Sequence, residues 1–134
     1  MTNMKQITIK VAWNNSAFEG LVSSETSYGE MKIVTKDFND IIDMGEAELK
    51  IGFDGYTEFG LELPEWYKNK EYEFVYKFQD VTAMLKAYSS YVSLAAISRE
   101  TGINSALLSH YANGLKVPRN KQQKIIVSGL HRIG

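Results

Sequence analysis

In the stretch "ITIKV", Ile7, Ile9 and Val11 alternate with polar positions, which is the period of a half-buried strand. The strand is followed by "NNS", which reads as the turn of a hairpin. "AFEGLVSS" and "GEMKIVT" supply two further strands, joined by the polar segment "SETSYG". From Thr35 the period lengthens: Phe38, Ile41, Ile42, Gly45 and Leu49 fall on one helical face, while Asp40, Asp43 and Lys50 point away. Thr35 is the expected N-cap of this helix, with Asp37 in the first turn complementing the helix dipole. "GFDGYTEFGLELPEW" reads as a structure-breaking stretch because of its glycines and Pro64, and "EYEFVYKF" aligns Tyr72, Phe74, Tyr76 and Phe78 on one face of a fourth strand. The order is β-β-β-α-β, an α+β unit with a helix across one face of a small sheet.

Beyond Gln79 the pattern is helical throughout. "DVTAMLKAYSSYV" turns Val81, Met84, Leu85 and Tyr88 inward, and Ser93 caps a second helix that carries Leu94, Ile97 and Thr101. "TGIN" then provides Gly102 for a tight turn, the apolar Ile103, and Asn104 as the cap of a third helix. In that helix Leu107, Leu108 and Tyr111 are available for packing, while Ser105, Ala106, Ser109 and His110 lie on other faces. It ends at Gly114. Pro118 breaks the chain before a last helix with Ile126, Leu130 and Ile133. Two short helices around a glycine turn, with the small Ser98 four residues before Gly102, are the pattern of a helix-turn-helix of the phage-repressor type. An ordinary helical hairpin has the same spacing.

Charge separates these alternatives. Residues 1–79 carry 8 Lys and Arg against 14 Asp and Glu, a net of −6; residues 80–134 carry 7 against 2, a net of +5. A chain of 134 residues has room for two small units, so 1–79 reads as an acidic α+β domain and 80–134 as a basic all-α domain. Lys116, Arg119, Lys121 and Lys124 follow directly on the candidate recognition helix, where they can meet phosphates beside a DNA groove. Base reading falls to Asn104, Ser105, Ala106, Ser109 and His110. Ala106 can touch a thymine methyl and Asn104 or Ser105 a base or a phosphate, with Asn104 equally explained as a cap alone. No Arg, Lys or Gln on this helix is set to grip a purine edge, so modest specificity is expected.

Catalysis is not expected. Two-metal hydrolysis needs carboxylates converging on ions about 3.5 to 4 Å apart, yet the strands "ITIKVAW" and "GEMKIVT" carry no acid at an interior position and Asp37, Asp40 and Asp43 diverge around the helix. Two histidines without cysteines make a poor metal set, "GFDGYTEFG" lacks the Lys-Ser/Thr of a phosphate-binding loop, and Ser109 and His110 diverge as sequence neighbours. No metal or cofactor is therefore implied. The absence of cysteine gives no sign of an oxidising compartment, "MTNMKQITIK" has no signal-peptide core, and no apolar run approaches a membrane span. A soluble, cytoplasmic protein is expected.

Over residues 71–134, "YEFVYKFQDVTAMLKAY", "AISRETGINSALLSHYANGLKVPRNKQQKI" and "LHRIG" resemble the C-terminal part of HicB-type antitoxins of bacterial HicA-HicB toxin-antitoxin pairs. Residues 7–53 are similar to that family in element order, a small degenerate ribonuclease-H-like β-β-β-α-β sheet. Ser105 and Ala106 depart from the family, which places long polar residues after the recognition-helix cap. The resemblance implies an antitoxin whose N-terminal domain masks a small basic RNA-cleaving HicA-like toxin and whose C-terminal helices repress its own operon by binding double-stranded operator DNA. Toxin contacts would then fall to Asp40, Asp43, Glu46 and Glu48, with Glu46 and Lys50 alternatively a simple i,i+4 pair on a solvated face. Trp13 and Trp66 serve either as interface anchors or in the core. Reading a two-fold operator requires a homodimer or a higher homo-oligomer. The rival reading is a free-standing repressor whose N-terminal sheet senses a ligand or dimerises.

Overall fold

A computed structural model describes residues 4–22 and 31–134. It is α+β and divides into two compact units, one ending at Lys77 and one beginning at Phe78.

The first unit is built on a mixed four-stranded sheet of order β3-β2-β1-β4, formed by β1 (Lys5–Asn14), β2 (Ala17–Val22), β3 (Met31–Thr35) and β4 (Tyr72–Phe78). β1 and β2 make the expected hairpin, with Asn14 opposite Ala17 and both turn residues, Asn15 and Ser16, at positive φ (52° and 60°). Positive φ at both turn positions is the primed geometry whose twist suits a two-residue hairpin. β2 and β3 pair antiparallel with Gly20 opposite Ile33; the "SETSYG" connection lies outside the described residues. The alternation read from the sequence sets the sheet's inner face: Ile7, Ile9 and Val11 are buried, as are Phe18, Val22 and Ile33.

The helix differs from its sequence-based prediction at both ends. Thr35 is the last residue of β3, and Asp37 caps a 3-10 turn (Phe38–Asp40) by accepting from the Asn39 N–H at 2.9 Å. The turn runs directly into α1 (Ile41–Glu58). The Thr35 hydroxyl accepts from the Asp37 N–H, so it orders the entry without capping the helix. Nor does "GFDGYTEFG" break the helix: Gly52 and Gly55 lie inside α1, and of these glycines only Gly60 takes a positive φ. Two interior glycines cost about 2 kcal/mol together. Continuing the helix buries Phe53, one turn beyond Leu49, against Tyr67 (4.2 Å between ring centroids) and Trp66 (5.6 Å). Burying such a ring gains about 1.5–3 kcal/mol, a gain of the size needed to offset the glycines. Trp66 and Tyr67 are supplied by a short helix, α2 (Glu65–Lys68), which begins right after Pro64.

The second unit contains α3 (Val81–Tyr88), α4 (Leu94–Thr101), α5 (Ser105–Ala112) and α6 (Asn120–Ile133). Its start at Phe78, two residues before the expected start at Asp80, follows from the packing of Phe78 on the core of this unit. Leu85, Ile97, Leu108, Ile126 and Leu130, one or two from each helix, are fully buried at its centre. α4 and α6 approach closely at Gly129, where a Cβ would come within 2.5 Å of Thr101 Cγ2.

Candidate nucleic-acid interface

α4 and α5 are joined by three residues, each fixed by its own chemistry. Gly102 ends α4 at φ 75°, a conformation that costs other residues strain, and its N–H donates to the Ser98 carbonyl at 2.8 Å. Ile103 is buried in the helical core, and its N–H donates to the Thr101 hydroxyl. Asn104 starts α5, with Oδ1 accepting from the Leu107 N–H at 2.8 Å. The Ser93 hydroxyl caps α4 in the same way. α5 is further tied to α3 by the Thr82 hydroxyl, which donates to the Tyr111 carbonyl at 2.7 Å.

So held, α5 turns Leu108, Tyr111 and Ala112 inward, while Ser105, Ala106 and His110 are exposed and Ser109 is half-buried. Of the residues singled out for base reading, Ser105, Ala106 and His110 thus share the exposed side of α5, with Asn104 at its start and Ser109 half-buried. Two of them are already engaged. The Asn104 oxygen is committed to the cap, which leaves its NH2 as the group to present, and the Ser109 hydroxyl accepts from Asn113 Nδ2 at 3.3 Å.

The four cations do not form one cluster. Lys116, Arg119 and Lys121 line a single open cleft with Leu107, Tyr111, Val117 and Gln122; Lys124 borders a separate groove with Asn120, Gln123 and Val127. The loop that carries Lys116 is anchored at both ends. The Leu115 N–H donates to the His110 carbonyl at 2.9 Å, and Gln123 Nε2 donates to the carbonyl of the buried Pro118 at 2.8 Å. Ammonium and guanidinium donors carried on such a loop and on the first turn of α6 suit phosphate oxygens. Sequence reasoning missed Gln122, a donor and acceptor beside the three cations; the polar run "RNKQQK" was the signal. Two other cations of this unit are engaged elsewhere: Arg132 pairs with Glu100, and Lys86 Nζ donates to Asn113 Oδ1 at 2.9 Å.

In the acidic unit the four singled-out carboxylates separate as well. Asp40 and Asp43 are exposed, whereas Glu46 accepts a hydrogen bond from the Tyr72 hydroxyl at 2.8 Å. Burial of Tyr72, and then this bond, push its pKa well above the ordinary tyrosine value. Glu48 is half-buried and, two residues beyond Glu46, lies on nearly the opposite side of α1. Lys50 pairs with Asp54 at 2.9 Å rather than with Glu46; the hydrogen bond, and then the carboxylate's charge, raise the ammonium's pKa. Trp13 packs edge-on against Phe18, and Trp66 packs against Phe53 and Tyr72 with Lys5 Nζ 5.7 Å from its ring centre, so both rings take part in packing.

Among the described residues no three His, Asp or Glu side chains converge as metal ligands would, and no helix is long and apolar enough to cross a membrane. No family model, curated protein or solved structure matches the chain.

Proposed function

We propose that the protein is a DNA-binding antitoxin: the α4-α5 pair acts as a helix-turn-helix that represses the protein's own operon, and the acidic unit neutralises a small basic RNA-cleaving toxin in the cytoplasm. The observation that carries the reading is the three-residue turn Gly102–Asn104, which sets α5 with Ser105, Ala106 and His110 exposed, while Leu107 and Tyr111 of the same helix line the cleft of Lys116, Arg119 and Lys121. A helix with small polar side chains can enter a major groove while cations at its flank engage phosphates. Ser105, Ala106, Ser109 and His110 offer no two-pronged grip on a purine, so phosphate contacts dominate affinity and sequence preference is modest. Two half-sites are read by two copies of the chain.

The toxin half of the reading rests on the charge division, −6 up to Gln79 against +5 beyond it, together with the resemblance of residues 71–134 to HicB-type antitoxins. A ribonuclease needs a cationic surface for its substrate, and an acidic partner is steered onto that surface in competition with RNA. Gentle purification of the full chain from its native host in low salt, with mass spectrometry of what stays bound, tests this half. A stoichiometric small basic protein whose ribonuclease activity is silent in the complex and returns on separation is expected. Recovery of the chain alone, or with DNA only, would refute it.

A further inference from the structure

The solvent side of α1 has a composition that neither its own unit nor a solvated surface requires. Ala47, Ile51 and Gly55 follow one another at intervals of four, a ridge along the helix opposite the buried stripe of Ile41, Gly45, Leu49 and Phe53. Ile51 is 66% exposed, and nothing lies within 4 Å of the place a Gly55 Cβ would occupy. Just past the helix end, Phe59 is 83% exposed. A β-branched apolar residue in water between an alanine and an open glycine forms a step over which another helix can pass closely.

The surroundings of this ridge are acidic. Asp43 precedes Ala47 by four residues in the same row, Asp54 and Glu58 are exposed along one side of it, and its one cation, Lys50, is paired with Asp54. Over all of α1 there are five carboxylates against one lysine. A second copy of the chain would bring the same carboxylates face to face, which disfavours self-association here.

We infer that this face of α1 is the docking surface for one amphipathic helix of a basic partner, with an apolar stripe laid over Ala47, Ile51 and Gly55 and Lys or Arg side chains meeting Asp43 and Glu58. The inference rests on the antitoxin reading, and it moves the contact away from Glu46 and Glu48, which are respectively bonded to Tyr72 and half-buried. Recognition is of the helix-on-helix kind, in which the apolar stripe gives affinity and the charged flanks give orientation.

The probe is a synthetic helical peptide of about 18 residues, or five turns, with leucines along one stripe and lysines on both flanks; a twin with glutamates replacing the lysines is the control. Each is titrated into the full chain while backbone amide NMR shifts are followed. The lysine peptide is expected to bind and to shift amides along Asp43–Glu58, and the glutamate twin is expected not to bind. Ile51→Lys, at an exposed position, should weaken binding about tenfold or more, the scale of withdrawing one aliphatic side chain from a contact. The pair Asp43→Asn with Glu58→Gln should flatten the salt dependence. No binding, shifts confined elsewhere, or unchanged affinity in Ile51→Lys would overturn the inference. If the peptide binds along α1 while no basic protein co-purifies with the chain, the surface stands and the antitoxin reading falls.

Discussion

Asn104 has two possible jobs, and substitution can separate them. Its oxygen caps α5 through the Leu107 N–H, a bond that Ser can reproduce and Ala cannot. Asn104→Ala should lose about 1 kcal/mol of stability, read by denaturant unfolding, whereas Asn104→Ser should stay near wild type. If Asn104→Ser keeps its stability but binds operator DNA more weakly, the amide NH2 contacts the DNA; equal binding leaves the residue a cap alone. Gly129 is a sharper case. A Cβ there would meet Thr101 Cγ2, and the Thr101 side chain is held in place by its bonds to the Ile97 carbonyl and the Ile103 N–H. Gly129→Ala is therefore expected to destabilise the helical unit by about 1–3 kcal/mol, measured as a lower unfolding midpoint at unchanged slope. Unchanged stability would mean that α4 and α6 can part without penalty. The pairing of Gly129 with Thr101 is invisible in the sequence because the two residues are 28 positions apart and neither has the character of a core residue.

At the scale of elements, local signals were legible wherever the chemistry was local. The caps Ser93 and Asn104, the end of α4 at Gly102 and the hairpin turn at Asn15 and Ser16 all depend on residues within four positions of one another. α1 went the other way. Gly52, Gly55 and Pro64 read as breakers, yet the helix runs to Glu58 because Phe53 finds Tyr67 and Trp66, partners whose proximity no local pattern reports. The same cause hid α2. Because Gly55 is helical and a Cβ there would meet nothing, Gly55→Ala should stabilise the first unit by about 0.5–1 kcal/mol, seen as a higher midpoint in thermal or chemical unfolding. A destabilised variant would contradict the helical, open setting of this residue. The candidate site was legible in part. The spacing along α5 placed Ser105, Ala106 and His110 on its outer side, but the separation of Lys124 from the other three cations and the commitment of Glu46 to Tyr72 arise from the packing of α6 and β4.

For the whole molecule, the opposed charges of the two units frame the proposed division of labour between a basic protein partner and DNA. The central claim is that the cleft of Lys116, Arg119 and Lys121 engages the DNA backbone beside α5. Fluorescence anisotropy of the full chain with duplex DNA from upstream of its own coding sequence, titrated over a range of salt concentrations, tests that claim most directly. Affinity should fall steeply with salt. In Arg119→Ala with Lys121→Ala, the slope of log K against log salt should be smaller by about 1.8, the loss of two neutralised phosphates. Equal slopes for the two proteins, or no salt-dependent binding by the unaltered chain, would contradict it.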